Sequence, residues 1–274
     1  MGFLGNIDGK VHDLGYMDAL SRQETAIHRL DPRAKLLTTL LFVGTVVSFD
    51  RYALSAMVPF LIYPLFLGAA GRIPARYILR KILLVSPFAV LLGIFNPLLD
   101  RETALILGGV PLSGGWVSFL SILLRFVLTV GAALTLIAVT GFNAVCVGLR
   151  RLGVPRVLVV QLLFLHRYLF VLTDEAMRMM RARALRSFGR QGRGIVSWGS
   201  LVGHLGLRTL DRAQRIHLAM RSRGFNGEVR WSTEGHWGWS ESVFLAGWVL
   251  FLLVGRMVNL SQALGELVRG GWGV

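Results

Sequence analysis

The chain has little of what soluble or disulfide-bonded proteins contain. Charged residues make up 16% of its 274 residues, against about 25% in typical soluble domains, and its mean hydropathy is +0.58. Its single cysteine, Cys146, excludes an intramolecular disulfide and a metal site built from several cysteines. Residues 1–35 are polar and lack an apolar core, so no cleaved signal peptide is expected there. The low charged fraction and the high mean hydropathy indicate an integral membrane protein.

Motifs for catalysis and phosphate binding are also missing. No G-x-x-x-x-G-K-[ST] loop occurs, so the chain is not expected to hydrolyse ATP itself. The histidines form neither an H-E-x-x-H motif nor a cluster with carboxylates at ligand spacing. A membrane-embedded enzyme is the less favoured alternative, because the apolar runs offer mostly Ser, Thr and Asn96 besides Arg125. We expect no catalytic residue, no metal site and no directly bound cofactor. The six histidines are His12, His28, His166, His204, His217 and His236.

Apolar runs occupy much of the chain. A membrane-spanning helix needs about 20 residues, and the first two runs are expected to form a helical hairpin around Asp50 and Arg51. The predicted fold class is an all-α integral membrane protein, with a bundle of about five transmembrane helices and a cytoplasmic pair of amphipathic helices. The apolar runs are residues 36–49, 53–70, 82–99, 116–142, 157–172 and 243–260.

Basic residues predict the orientation of these runs. Lys and Arg flank the first two runs on both sides and follow the fourth, whereas the loop 100–115 has Arg101 as its only basic residue. Positively charged loops stay in the cytoplasm, which also accounts for 30 basic against 15 acidic residues without a nucleic-acid partner. Residues 173–230 contain twelve arginines and four acidic residues, a net charge of +8. Residues 154–172 are therefore predicted to lie at the inner membrane interface and to continue into the cytoplasm. A six-span version, in which they cross, is the alternative.

Two arginine-rich segments follow, RMMRARALRSFGR (residues 178–190) and AMRSRGF (residues 219–225). At about 100° per residue, each segment together with the residues before it separates an apolar face from a charged face. Residues 189–206 are glycine-rich and predict a turn region, and Gly224 is expected to end the second helix. The apolar faces contain Met177, Met180, Ala184 and Phe188, then Ala213, Ile216 and Met220; the charged faces contain Arg183, Arg186 and Arg190, then Arg208, Asp211 and Arg215.

These helices are interpreted as a docking platform for a protein. The alternative is that basic amphipathic helices bind anionic lipid headgroups. Methionines supply adaptable apolar surface for a protein partner. All the basic residues of this region are arginines, whose planar fork suits directed hydrogen bonds to carboxylates and carbonyls. Membrane lipids remain expected neighbours in either case.

Four motifs point to a family. They are LDPRAKLL (residues 30–37), FNPLL (95–99), RYLFVLTDEAMRMMRARALRS (167–187) and AMRSRGF. Over about residues 28–228 the chain resembles the transmembrane T component of energy-coupling factor (ECF) transporters, bacterial and archaeal importers of vitamins and transition metal ions. The stretch HRYLFVLTDEA and the N-terminal extension resemble the cobalt-transport branch of that family, the CbiQ type within CbiQ/EcfT.

The resemblance implies a non-catalytic coupling subunit in the inner (cytoplasmic) membrane of a bacterial or archaeal cell. Two cytoplasmic ABC ATPases would bind its paired coupling helices through arginine-centred triplets, and a separate substrate-binding membrane subunit would capture the cargo. The implied function is ATP-driven uptake of cobalt ions, with nickel or vitamin uptake as alternatives. The matching triplets are Ala182-Arg183-Ala184 and Ser222-Arg223-Gly224, each departing from Ala-Arg-Gly at one position.

Further residues are expected to support these roles. Glu175 is expected to pair with Arg178 or Arg167 and to orient the first coupling helix, with Arg186 on its charged face. Arg125 lies in mid-span and is interpreted either as a polar contact inside the bundle or as part of the interface with the substrate subunit. Arg256 is expected to snorkel. The predicted divisions are a cytoplasmic N-terminal segment (1–35), transmembrane helices 1–4 (36–142), the interfacial and coupling helices (143–236), and the last transmembrane helix with a C-terminal tail (237–274).

Overall fold

The computed structural model describes residues 15–50, 53–99, 103–107, 110–186, 195–227 and 237–257. Its elements are α1 (Ala26–Arg29), α2 (Pro32–Val47), α3 (Leu54–Met57), a 3₁₀ helix (Val58–Leu61), α4 (Ile62–Ala70), α5 (Ala75–Gly93), α6 (Phe95–Leu99), β1 (Thr103–Leu107), β2 (Val110–Ser113), α7 (Gly114–Thr140), α8 (Phe142–Arg151), α9 (Arg156–Arg186), α10 (Ile195–Ser222) and α11 (Trp239–Met257).

The chain divides into two compact units. The described residues of the ranges 18–148 and 235–274 form one unit, called the bundle unit here; those of the ranges 1–17 and 149–234 form the other, called the basic unit. The helices α1 to α7 and α11 belong to the bundle unit, and α9 and α10 belong to the basic unit. The predicted all-α class is confirmed, with one short addition. The strands β1 and β2 form an antiparallel hairpin in which Leu105 lies opposite Leu112 and Leu107 opposite Val110.

Several helices have the length and composition of membrane spans. Among the described residues these are Ala75–Pro97, α7, α9 and α11, and residues 54–70 form a shorter apolar helix. A multi-pass membrane protein is therefore confirmed. The helix α9 qualifies by length and apolarity alone, whereas its predicted place at the inner interface rests on the positive charge that follows it. That orientation, the number of crossings and the predicted domain boundaries stay predictions.

The start of α2 follows from its local sequence. Asp31 is the N-cap, and its Oδ1 accepts a hydrogen bond of 2.8 Å from the backbone N–H of Arg33. Pro32 occupies the first helical turn, where its missing N–H costs nothing. Lys35 is buried, and its ammonium donates to the carbonyl of Ile27 at 3.1 Å. Residues 31–35 of the LDPRAKLL motif thus fix the beginning of α2.

The core of the bundle unit is aromatic. Phe42 of α2 stacks on Tyr63 of α4 with ring centroids 4.5 Å apart, and Trp248 of α11 meets Tyr63 edge-on at 4.8 Å. Phe60 lies within this cluster and, like Phe42 and Tyr63, has no exposed surface. The Tyr63 hydroxyl shares a 2.7 Å hydrogen bond with Thr39 Oγ1, so its polar atom is satisfied inside the apolar core. These contacts bring α11 against α2 and α4.

Two arginines meet the carbonyl end of α2. Arg125 of α7 donates to the carbonyl oxygen of Phe49 at 2.7 Å. Arg256 of α11 donates to the carbonyl oxygen of Ser48 at 3.2 Å, and its guanidinium lies 4.7 Å from the centre of the Phe49 ring. Cations at a helix C-terminus satisfy orphan carbonyls and oppose the negative end of the helix dipole. Arg256, which was expected only to snorkel, therefore also caps α2.

Candidate docking site on the arginine-rich helices

The first arginine-rich segment is the second half of one long helix. The helix α9 runs without interruption for 31 residues, about 46 Å at 1.5 Å per residue, from the apolar run into the arginines. The predicted helix over residues 154–172 is confirmed from Arg156 onward, and it continues into the basic region. Met177 is buried and Met180 half-buried, as their predicted packing face requires, whereas Ala184 is exposed. Phe188 and Arg190 lie outside the described residues.

The predicted turn over residues 189–206 is wrong from Ile195 onward. The helix α10 already begins at Ile195 and contains Gly199, Gly203 and Gly206. A glycine inside a helix costs about 1 kcal/mol relative to alanine, and the glycine count suggested a break. The apolar residues between the glycines outweigh that cost, because one of them, Leu201, is buried in the folded unit.

Glu175 links the two helices. Its Oε2 accepts a 2.8 Å hydrogen bond from Nη2 of Arg178, one turn further along α9. Its Oε1 accepts a 2.6 Å hydrogen bond from Nη1 of Arg208 on α10. The predicted pair with Arg178 is confirmed. The partner Arg208 was missed, because a contact across 33 positions leaves no periodic signal in a single sequence.

The second triplet, Ser222-Arg223-Gly224, forms the end of α10. Gly224 has φ of +77°, and its N–H donates to the carbonyl of Arg221 at 2.9 Å. The N–H of Phe225 reaches back to the carbonyl of Met220 at 3.0 Å. This pair of bonds is the Schellman motif, in which the left-handed position favours glycine. The expected C-cap is confirmed, and Arg223 is held exposed at a fixed corner.

The first triplet has different surroundings. Ala182, Arg183 and Ala184 lie within α9, where Ala182 and Ala184 are exposed and Arg183 is half-buried. A helix interior requires no residue with left-handed backbone angles. Alanine therefore fits at the third position of the triplet, where Ala-Arg-Gly has glycine, and it also favours the helix. The departures of the two triplets from Ala-Arg-Gly therefore match their positions, one inside a helix and one at a helix end. Arg186 is exposed in the last turn of α9, and Arg167 lies exposed in its apolar half.

An apolar groove of about 300 Å³ lies between α9 and α10. The Schellman turn supplies one wall through Phe225 and Met220, and α9 supplies the opposite wall. The basic unit therefore presents arginines and an apolar groove on the same pair of helices, which are the two surfaces that a protein partner needs. The wall from α9 includes Phe164, Tyr168 and Leu172.

Arg125 belongs to the bundle unit, where it donates a hydrogen bond to Phe49. Besides the bond to Phe49, its Nε is buried and has no hydrogen-bond partner among the described residues. The observed bond fits the intrabundle alternative, and a place at an interface with a substrate subunit stays a prediction. Within the described part of the chain, no three His, Cys, Asp or Glu side chains are grouped so that they could hold a metal ion.

The pattern of an apolar bundle with two arginine-bearing helices matches a known family. The family model described as CbiQ, cobalt transport protein, matches residues 23–234. The chain belongs to this family. It is therefore the membrane component of a transporter, a class of component that generally works with other subunits.

Individual relatives agree with the family assignment. The chain is 26% identical over 227 residues to the uncharacterized protein MJ1571 of Methanocaldococcus jannaschii, covering 78% of this chain and 76% of that protein. It is 28% identical to the cobalt transport protein CbiQ of Salmonella typhimurium, covering 52% of this chain and 68% of that protein. It is 30% identical to the nickel permease LarQ of Lactiplantibacillus plantarum, covering 41% of this chain and 43% of that protein.

Proposed function

We propose that this chain is the transmembrane coupling (T) subunit of an ECF-type ABC importer for cobalt ions. In this role it transmits the ATP-driven movement of two cytoplasmic ATPases to a substrate-binding membrane subunit. The observation that carries the proposal is the pair of arginine triplets on two long helices that Glu175 ties together. The chain itself supplies no catalytic residue and binds no cofactor, and the partner ATPases consume the ATP.

The geometry of α9 and α10 suits the transmission of force. A continuous helix resists bending, and the Glu175 carboxylate connects α9 to α10 through charge-assisted hydrogen bonds of 2.8 and 2.6 Å. We therefore expect a displacement at Arg183 or at Arg223 to be passed from one helix to the other through Glu175. The Schellman turn at Gly224 places Arg223 directly at the end of α10.

The arginines suit docking into acidic pockets of a protein. Each guanidinium presents several N–H donors in a rigid fork that carboxylates accept in pairs. Arginines are also enriched among the residues that dominate binding energy at protein interfaces. Glu175, Arg186 and Arg167 act as supporting residues, Glu175 by positioning and the arginines by adding charge.

Co-purification in detergent tests the proposal. The tagged chain is expressed with the candidate ATPase subunits, and the wild type is compared with the Arg183→Glu, Arg223→Glu double variant. The wild type is expected to retain the ATPases and the double variant to lose them, because charge reversal places acid against acid. A matched control is the Arg181→Glu, Arg215→Glu variant, which reverses one exposed arginine on each of the same helices. Arg193→Glu, outside the described residues, is expected to have little effect.

Three outcomes would contradict docking at the triplets. They are a wild type that retains no ATPase, a double variant that retains as much as the wild type, and an equal loss in the control. The third outcome would favour diffuse attraction to anionic lipid, which weakens gradually with each arginine removed. Thermal melting of each variant checks that the loss does not come from unfolding.

Nickel is the second candidate cargo, because the chain is similar to a nickel permease as well as to cobalt transport proteins. Cobalt ranks first because the family description names it. Uptake of radiolabelled cobalt and nickel by cells that express the complete transporter separates the two. Preferential accumulation of nickel would overturn the cobalt proposal while leaving the coupling role intact.

A further inference from the structure

A second cavity in the basic unit is strongly basic and is lined in part by Ala182 and Arg183 of the first triplet. It has a volume of about 720 Å³, within the usual range of ligand sites, about 300–1,000 Å³. Four arginines and one glutamate line it, a net charge of +3 with His204 neutral. No second acid is present in this lining among the described residues. The arginines are Arg178, Arg183 and Arg186 from α9 and Arg208 from α10.

Glu175 uses only part of the hydrogen-bonding capacity of Arg178 and Arg208. A guanidinium has five N–H donors, and Glu175 engages Nη2 of Arg178 and Nη1 of Arg208. The side chains of these two arginines are 62% and 64% exposed, so a ligand has access to their remaining donors. Arg186 is exposed as well and adds a third fork.

We propose that this cavity is a binding site for a phosphate-bearing anion. Several arginine forks converging from two helices match the several oxygens and the multiple charge of a phosphate. Bringing like charges together around one cavity is unfavourable, and a multivalent anion relieves that repulsion. Ser200 and His204 from α10 line the same cavity and offer further polar groups to the ligand. The proposal concerns the isolated chain and does not depend on ATPase docking.

Two variants are expected to change the affinity in opposite directions. Glu175→Gln removes the competing charge and releases Arg178 and Arg208, so binding should tighten. Arg208→Gln removes one fork and should weaken binding about tenfold, as expected for the loss of a charged hydrogen bond. The control is Arg221→Gln, which removes an exposed arginine of α10 that does not line the cavity.

The test uses the full-length chain purified in detergent without ATPases. Pyrophosphate is titrated into the detergent-purified chain by isothermal calorimetry at constant ionic strength. In a second assay the chain is reconstituted in nanodiscs of phosphatidylglycerol or of phosphatidylcholine. Native mass spectrometry then counts the lipid molecules that the chain retains from each kind of nanodisc. Saturable pyrophosphate binding indicates a free phosphate compound as the source. Retention of phosphatidylglycerol without pyrophosphate binding indicates a lipid headgroup.

Three results would overturn the proposal. They are the absence of binding in both assays, an equal loss for Arg208→Gln and Arg221→Gln, and weaker binding for Glu175→Gln. The opposite sign expected for Glu175→Gln separates loss of the site from misfolding, since a misfolded variant cannot bind more tightly. ATPase docking is measured separately, so either proposal can fail alone.

Discussion

Two helices of similar length show how differently the two units of this chain are built. The helix α7 of the bundle unit buries 12 of its 27 residues, whereas α9 of the basic unit buries 2 of its 31. Exposed apolar side chains on α9 include Val157, Leu165 and Leu185, the last 80% exposed. Packing within the chain thus covers much of the apolar surface of α7. The helix α9 keeps exposed apolar surface that lipid or a partner subunit can cover.

The charged groups show the same contrast. In the bundle unit, Lys35 and Arg125 donate to backbone carbonyls and so complete the internal hydrogen bonding of the fold. In the basic unit, Arg178 and Arg208 share a single carboxylate and remain largely exposed. Such exposed ion pairs contribute little to stability. Their positions are better explained by binding than by folding.

The largest expected effect comes from shortening one leucine in each unit, which tests whether the bundle unit is packed more tightly than the basic unit. Leu67 of α4 is 1% exposed, and Leu67→Ala is expected to lower the free energy of unfolding by about 2–5 kcal/mol through lost packing and a cavity. Leu218 of α10 is 61% exposed, and Leu218→Ala should change it by less than about 0.5 kcal/mol. Thermal and denaturant unfolding in detergent measures both. Equal losses would show that α10 is packed as firmly as the bundle.

A smaller effect is expected from adding a methyl group to glycine. Gly141 has φ of +78°, and an added Cβ would lie 2.7 Å from Ser21 Oγ. Gly141→Ala should therefore cost about 1–2 kcal/mol from backbone strain alone. Gly206 of α10 is helical with no atom within 4 Å of such a Cβ, so Gly206→Ala should stabilise that helix by up to about 1 kcal/mol. Circular dichroism melts of the two variants should shift in opposite directions, and a gain for Gly141→Ala would contradict the strained junction.

The smallest expected effect concerns the cap of α2. Arg256→Gln loses the bond to the Ser48 carbonyl and the contact with the Phe49 ring, a cost of about 0.5–1 kcal/mol. Arg221→Gln on α10 removes an equal charge and should not change the melting temperature. An unchanged melting temperature for Arg256→Gln would mean that Arg256 only reaches for the membrane surface, as snorkelling alone predicts.

Much of the candidate site was predictable from the residues. The helical period places Arg183 and Arg186 on one side of α9, and Gly224 marks the end of α10 through its conformational freedom. The Glu175–Arg208 bond and the early start of α10 at Ile195 were not predictable. Both depend on how two helices pack, which a single sequence encodes only through many weak, distant contacts.

The sequence by itself determined that this protein is helical and membrane-embedded, because apolar runs and arginine positions are local properties that water and lipid sort directly. It also determined where the arginine triplets lie and that no phosphate loop accompanies them. Only the tertiary structure decided that Arg256 caps α2, that Arg125 bonds to the carbonyl of Phe49 just beyond it, and that Glu175 joins α9 to α10. The physical reason is the separation along the chain. These hydrogen-bond partners lie 33 and 208 residues apart in the sequence, so tertiary packing and not local pattern brings them together.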